Sequence, residues 1–399
     1  MALTGTQSTE PDLMQDKMIH APVKPAPVAS GFPRSLRKPS HRTANKALSV
    51  TGLILLGSVA VGLITADMRP VVAAIYFAFG FVMQRGTFCS AALISSAVLS
   101  HDKRGMLAIL IAVLTAMLGF GAMQTLGWIT VYPGHVSVAP AAVGGLLYGV
   151  GMVFAGGCVS GSLFKATEGR IPSILAVIGI LVGMSMGMSQ WGHGVIAFLA
   201  KVGSFWNPKP NLAATDGASY SHLTTGIALI GLAMVGLVFR RRILKLRIRG
   251  SFQSDRSWPL FGVAIVIGLL GWAAFLTGPA VGRYYPLGAS QIPAVLAGIP
   301  FNGGVQLAGM LASTYLLGSA FSAWMRGDIR RRSAPFATLA IAFSGGVMIG
   351  FGGIMARGCF VGQVLSGWPL LATQALIFGV VLIPANWVTT LLYLRGWRQ

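Results

Sequence analysis

"GGLLYGVGMVFAGGCVSG", residues 144–161, reads as an apolar helix that ends abruptly in Gly-Gly-Cys. It recurs as "GGVMIGFGGIMARGCFVG", residues 345–362, with six glycines and the cysteine in register. The shift is 201 residues (359 minus 158), about half of the 399-residue chain. The chain holds 53 glycines, so matching glycines alone prove little, but one of only three cysteines falling in register points to duplication. Many membrane transporters are built from such repeats, with the substrate site where broken helices of the two halves meet.

Composition fits that reading. The chain is 54% hydrophobic and 10% charged, against about 25% charged in a soluble domain. Apolar runs long enough for a ~30 Å hydrocarbon core fall at 47–66, 106–130, 171–200, 221–239, 258–277, 303–325 and 369–394. The expected fold is an all-α, polytopic integral membrane protein: a helical bundle with an internal repeat and short broken or re-entrant helices. Residues 1–46 lack an apolar run and read as a disordered basic tail. A first repeat is expected over 47–220, a linking span and basic loop over 221–257, and a second repeat over 258–399.

The net charge of +21 is concentrated in the tail, in "FRRRILKLRIRG" (239–250) and in "RGDIRRRS" (326–333). Short basic loops beside spans set topology, which puts the tail and both loops in the cytoplasm and removes the case for nucleic acid. Three cysteines with no C-x-x-C pair argue against a disulfide framework and a structural zinc site, so neither metal nor cofactor is expected. His193, in "QWGHG", reads as a polar contact between helices.

Every cysteine lies at a break: "MQRGTFC" (83–89), "AGGCVSG" (155–161) and "ARGCFVG" (356–362). Irregular backbone survives at membrane depth only inside protein or beside a polar cavity. A half-helix starting there offers unpaired N–H groups and a positive dipole end, which favour anions. The candidate substrate-binding set is therefore Cys89, Cys158 and Cys359, with Gly157, Gly161, Gly358 and Gly362 admitting a ligand close to the main chain. A thiol is a soft, weak donor, suited to the sulfur atom of a sulfur-bearing anion. The bland alternative is that each cysteine is a small buried hydrophobe. Arg85 and Arg357 are placed to meet an anion or to cap helix ends. Lys165 and Glu168, in "LFKATEG", belong to the same set or form a loop pair at the membrane surface. Gln84 and Asn302 are uncharged donors for a polar path.

The segments 151–169 and 345–367, with "GFVMQRGTFC" (80–89), resemble the YeeE/YedE sulphur-transport family, which includes bacterial thiosulfate importers. The resemblance covers roughly 48–394; the basic tail and the loop "KPNLAATDGASYSH" (209–222) are departures from it. It implies an hourglass-shaped helical protein of the bacterial inner membrane, with short helices pointing inward from both faces. It also implies a path marked by Cys89, Cys158 and Cys359 along which thiosulfate passes by transient hydrogen bonds. A small cytoplasmic sulfur-carrier or sulfurtransferase protein is the implied partner.

The expected function is thus a permease for a sulfur-containing oxyanion, not an enzyme. Two other readings stay open on sequence: a membrane-embedded thiol-dependent redox or sulfur-transfer enzyme, and a general small-anion channel.

Overall fold

A computed structural model describes residues 67–129, 136–203, 217–243, 258–290 and 304–396, with isolated positions 57, 58, 60, 64, 293 and 294. All of these belong to one compact unit, Thr43–Gln399. The tail 1–46, most of the expected span 47–66, and Asn302 lie outside the described residues.

The first half runs α1 (Arg69–Arg85), α2 (Ser90–Leu99), α3 (Arg104–Thr125), α4 (Val138–Phe154), α5 (Val159–Thr167) and α6 (Ile171–Met188). Two further helices follow, α7 (Gln190–Val202) and α8 (Gly217–Ile243). The second half has α9 (Leu260–Thr277), α10 (Gly304–Arg326), α11 (Phe336–Met355), a π-helical segment (Val361–Gly367) and α12 (Thr373–Gly396). No strand occurs among the described residues, so every span closes its backbone hydrogen bonds within itself, as a bilayer requires.

Seven helical stretches among the described residues are long and apolar enough to cross a membrane. Two of them, Arg69–Leu99 and Val138–Thr167, include a cysteine break; the others are Arg104–Thr125, Ile171–Met188, Leu260–Thr277, Phe336–Met355 and Thr373–Tyr393. Large apolar side chains such as Ile230 (70% exposed) and Leu237 (67%) point outward from α8, a liability in water and a requirement in lipid. The protein is an all-α polytopic membrane protein.

Shifting by 201 residues carries α3 onto α10, α4 onto α11, the start of α5 onto Phe360, and α6 onto α12. The packing is exchanged between the halves. Helix α4 lies against α11 and α12, α11 against α4 and α6, α1 against α10, and α9 against α3. Glycines permit this closeness. A Cβ on Gly144 would sit 2.6 Å from the carbonyl oxygen of Gly352, and one on Gly352 2.7 Å from that of Gly144. Gly151 and Gly345 repeat the relation at 2.7 and 2.8 Å.

These two glycine pairs also fix the direction of the chains. Early Gly144 faces late Gly352, and late Gly151 faces earlier Gly345, so α4 and α11 run antiparallel. A two-fold relation between antiparallel helices has its axis perpendicular to them, in the plane of the membrane they cross. The repeat is inverted.

The apolar run 171–200 is not one span. It breaks at Ser189, whose extended backbone ends α6 and whose hydroxyl accepts from the Gly192 N–H at 3.2 Å to cap α7. A serine N-cap outcompetes continuation of the helix here. His193 consequently sits exposed on α7 rather than between helices.

Candidate functional site

The three cysteine breaks share one local structure. The helix before each ends in a residue with positive φ two positions ahead of the cysteine: Thr87 (47°), Gly156 (64°) and Arg357 (56°). At each, that residue's N–H reaches back three residues, to Gln84, Val153 or Ile354. The following N–H reaches back five, to Met83, Met152 or Gly353. This is the Schellman arrangement, which satisfies the last carbonyls of a helix. The cysteine carbonyl then accepts the first bond of a new helix, from Leu93 (3.0 Å), Ser162 (2.7 Å) and Gln363 (2.8 Å). Each thiol therefore stands at the N-terminal end of a fresh half-helix. Cys158 Sγ itself accepts the Gly161 N–H at 3.3 Å and lies 3.2 Å from Ser160 Oγ.

All three thiols are buried, with 1–2% exposure. A Cβ on Gly161 would lie 2.7 Å from Cys89 Sγ and 3.4 Å from Cys158 Sγ, so the two sulfurs flank one point at most 6.1 Å apart (2.7 plus 3.4). Only glycine leaves that point open. Tyr148 joins this pair to the second half: its phenol oxygen accepts the Val159 N–H at 3.4 Å and the Phe360 N–H at 3.2 Å. Those are the residues immediately after Cys158 and Cys359. Tyr315 donates to the Ser160 carbonyl at 3.1 Å, two residues beyond Cys158. Tyr285 donates to the Gly362 carbonyl at 2.7 Å. Three phenols thus bond to the backbone next to the breaks.

Tyr148 has a measurable structural cost attached. Tyr148→Phe strands two buried N–H groups, each worth about 1–3 kcal/mol when unsatisfied. The variant is expected to melt below the parent in detergent by thermal fluorescence; an unchanged melting temperature would mean that the phenol is not the cap.

The charged candidates separate into three groups. Lys165 Nζ donates to the Gly156 carbonyl at 2.6 Å and lies 3.7 Å from Cys89 Sγ, so it belongs with the thiols. Glu168 does not pair with it. Its carboxylate instead binds Arg170 Nε at 2.9 Å and accepts from Gln84 Nε2 at 3.2 Å, while Gln84 Oε1 accepts from Ser322 at 2.6 Å. Gln84 and Glu168 thus close the ends of α1, α5 and α10 together. Arg85 is buried there too, and its carbonyl accepts from Arg326 Nη1 at 3.3 Å. Arg357 carries an exposed side chain on the left-handed residue of its turn.

Sequence reading missed Arg283, in "VGRYYPLG". It is 3% exposed, donates to the Tyr76 hydroxyl and lies 5.1 Å from that ring's centroid. The Tyr76 hydroxyl also accepts the Gly288 N–H at 3.4 Å. Buried cations are costly in a membrane protein and mark pathways. The legible signal was an arginine isolated from the basic loops. For Tyr148 it was a phenol where the repeat has Ile349.

An inverted repeat of spans, with half-helices meeting at buried polar breaks, defines the transporter class. The sulphur-transport family profile matches residues 85–388. The chain belongs to that family. It is 28% identical over 331 residues to the thiosulfate transporter TsuA of Escherichia coli K12, covering 80% of this chain and 93% of that protein. It is 25% identical over 338 residues to TsuA of Spirochaeta thermophila, covering 80% and 97%. The probable transporter YedE of Salmonella typhimurium LT2 is 26% identical over 228 residues, covering 56% of this chain and 54% of YedE.

Proposed function

We propose that this protein imports thiosulfate across the bacterial inner membrane, relaying it between the thiols of Cys89, Cys158 and Cys359. The observation that carries this reading is the threefold recurrence of one turn, each placing a thiol at the start of a half-helix. Backbone N–H groups and hydroxyls suit the oxygens of the anion, and thiols suit its terminal sulfur. Lys165 beside Cys89 and the buried Arg283 beside Tyr76 offset the dianion's lost hydration along the relay. The nearby carboxylate of Glu168 is neutralised by Arg170 and does not repel the substrate. Because each contact is weak, the anion leaves one thiol for the next without deep trapping.

Orientation follows from charge. The basic segment 327–332 is hydrogen-bonded to the turn at 168–171 through Arg330 N to Glu168 O (2.9 Å) and Ile171 N to Arg332 O (3.1 Å). The positive-inside rule supports reading that face as cytoplasmic, and the proposal puts the N-terminal tail on the same side. The experiment is uptake of radiolabelled thiosulfate into cells lacking their own importers. Expression should confer saturable uptake that excess unlabelled thiosulfate competes and excess sulfate does not. Equal competition by sulfate would instead indicate a general anion channel.

A further inference from the structure

Two hydroxyls beside the Cys89–Cys158 pair are buried and bind nothing. Ser90 follows Cys89 at the first position of α2 and is 2% exposed; Ser162 lies in α5 and is 0% exposed. Neither Oγ has a hydrogen-bond partner. Elsewhere the helical hydroxyls fold back onto carbonyls one turn earlier, as Ser96 does to Leu93 (2.9 Å), Ser185 to Leu181 (3.0 Å) and Thr277 to Ala273 (2.7 Å). Ser162 has the Cys158 carbonyl in that position and does not use it. Its oxygen instead stands 3.2 Å from the point where a Cβ on Gly157 would lie, over the start of α5. Ser90 Oγ approaches the Cys158 thiol without meeting the geometry of a full hydrogen bond. An orphaned buried hydroxyl destabilises the protein that carries it and calls for an explanation.

Ser90 borders the Cys158 thiol, and Ser162 lies on the first turn of the helix which that thiol caps. Cys158 Sγ there contacts Ser160 Oγ at 3.2 Å, and Lys165 Nζ lies 3.7 Å from Cys89 Sγ. Resting on the reading of the protein as a carrier of sulfur oxyanions, we propose that Ser90 and Ser162 donate to the anion's oxygens at this station. The two thiols then face its terminal sulfur. The hydroxyls and Lys165 read one end of the anion and the thiols the other, so a thiosulfate ion is bound in a single orientation. Neither alone distinguishes it from sulfate. The pairing does.

The test uses the purified full-length chain with sodium thiosulfate as the probe, comparing the parent with Ser90→Ala, Ser162→Ala and the conservative Ser90→Thr. Melting is measured with and without thiosulfate, and KM and the maximal rate are measured in proteoliposomes. Alanine at either position should leave the anion-free melting temperature unchanged or raised, because an unsatisfied hydroxyl is removed. It should shrink the thiosulfate-induced rise in melting temperature and increase KM by roughly tenfold, the loss of one hydrogen bond to a charged group. Ser90→Thr keeps the donor and should keep the parent KM. Alanine variants with the parent KM and the parent thiosulfate shift overturn the inference alone. So do variants that melt lower without anion, since the hydroxyls would then be holding the fold. A parent that neither takes up thiosulfate nor is stabilised by it overturns the functional reading as well.

Discussion

Cys158→Ala and Cys359→Ala are expected to lower the initial rate of thiosulfate uptake by on the order of tenfold each. That is the loss of about 1.5 kcal/mol of contact where the anion passes between stations. Uptake is normalised to inserted protein, because Cys158→Ala also strips the Gly161 N–H of its cap. The sharper variant is Cys158→Ser. Its hydroxyl would replace Sγ as the acceptor for the Gly161 N–H, now 3.3 Å away, and serine is a far better N-cap than a thiol. Cys158→Ser should therefore melt at or above the parent temperature while transporting poorly. The harder, more strongly engaged oxygen no longer releases its own helix to meet a soft sulfur atom. Uptake by Cys158→Ser equal to that of the parent would show that a donor of any kind suffices and that softness is irrelevant.

Gly144→Val and Gly352→Val should each abolish the folded protein. At both positions the added Cβ would meet the opposing carbonyl oxygen at 2.6–2.7 Å. Backbone cannot swing aside as a side chain does, so the α4–α11 seam must open, at a cost of about 3 kcal/mol or more. The two variants open the same contact from its two sides, so their losses should be similar. Gly236→Val on α8 is the control, because a Cβ there meets nothing within 4 Å. Size-exclusion chromatography of fluorescent fusions reads all three. Monodisperse Gly144→Val protein would contradict the close approach of these helices.

The fold class, the duplication and the positions of the three breaks are all legible in the sequence, for a physical reason. Glycine and cysteine inside an apolar run have few cheap explanations in a bilayer. Side-chain partnerships are less legible, since they depend on which helix ends share a face. Glu168, three residues from Lys165, could have paired with it on spacing alone, yet Arg170 and Gln84 take its two oxygens. Arg357 is read as a cation, but its backbone matters more: it adopts the left-handed conformation that glycine supplies at Gly156. The sense of the repeat comes from the reciprocal contacts of Gly144 with Gly352 and Gly151 with Gly345, which no sequence pattern displays. The Ser189 break was hidden because both flanking helices are apolar enough to read as one.

Thiol relay is the claim on which the rest depends, and reconstituted transport tests it directly. Radiolabelled thiosulfate uptake should be compared in proteoliposomes holding the purified parent or a triple variant, Cys89→Ser with Cys158→Ser and Cys359→Ser. The relay predicts saturable uptake by the parent and uptake at the protein-free background for a triple variant that elutes and melts as the parent does. Parent-like uptake by that variant would contradict it.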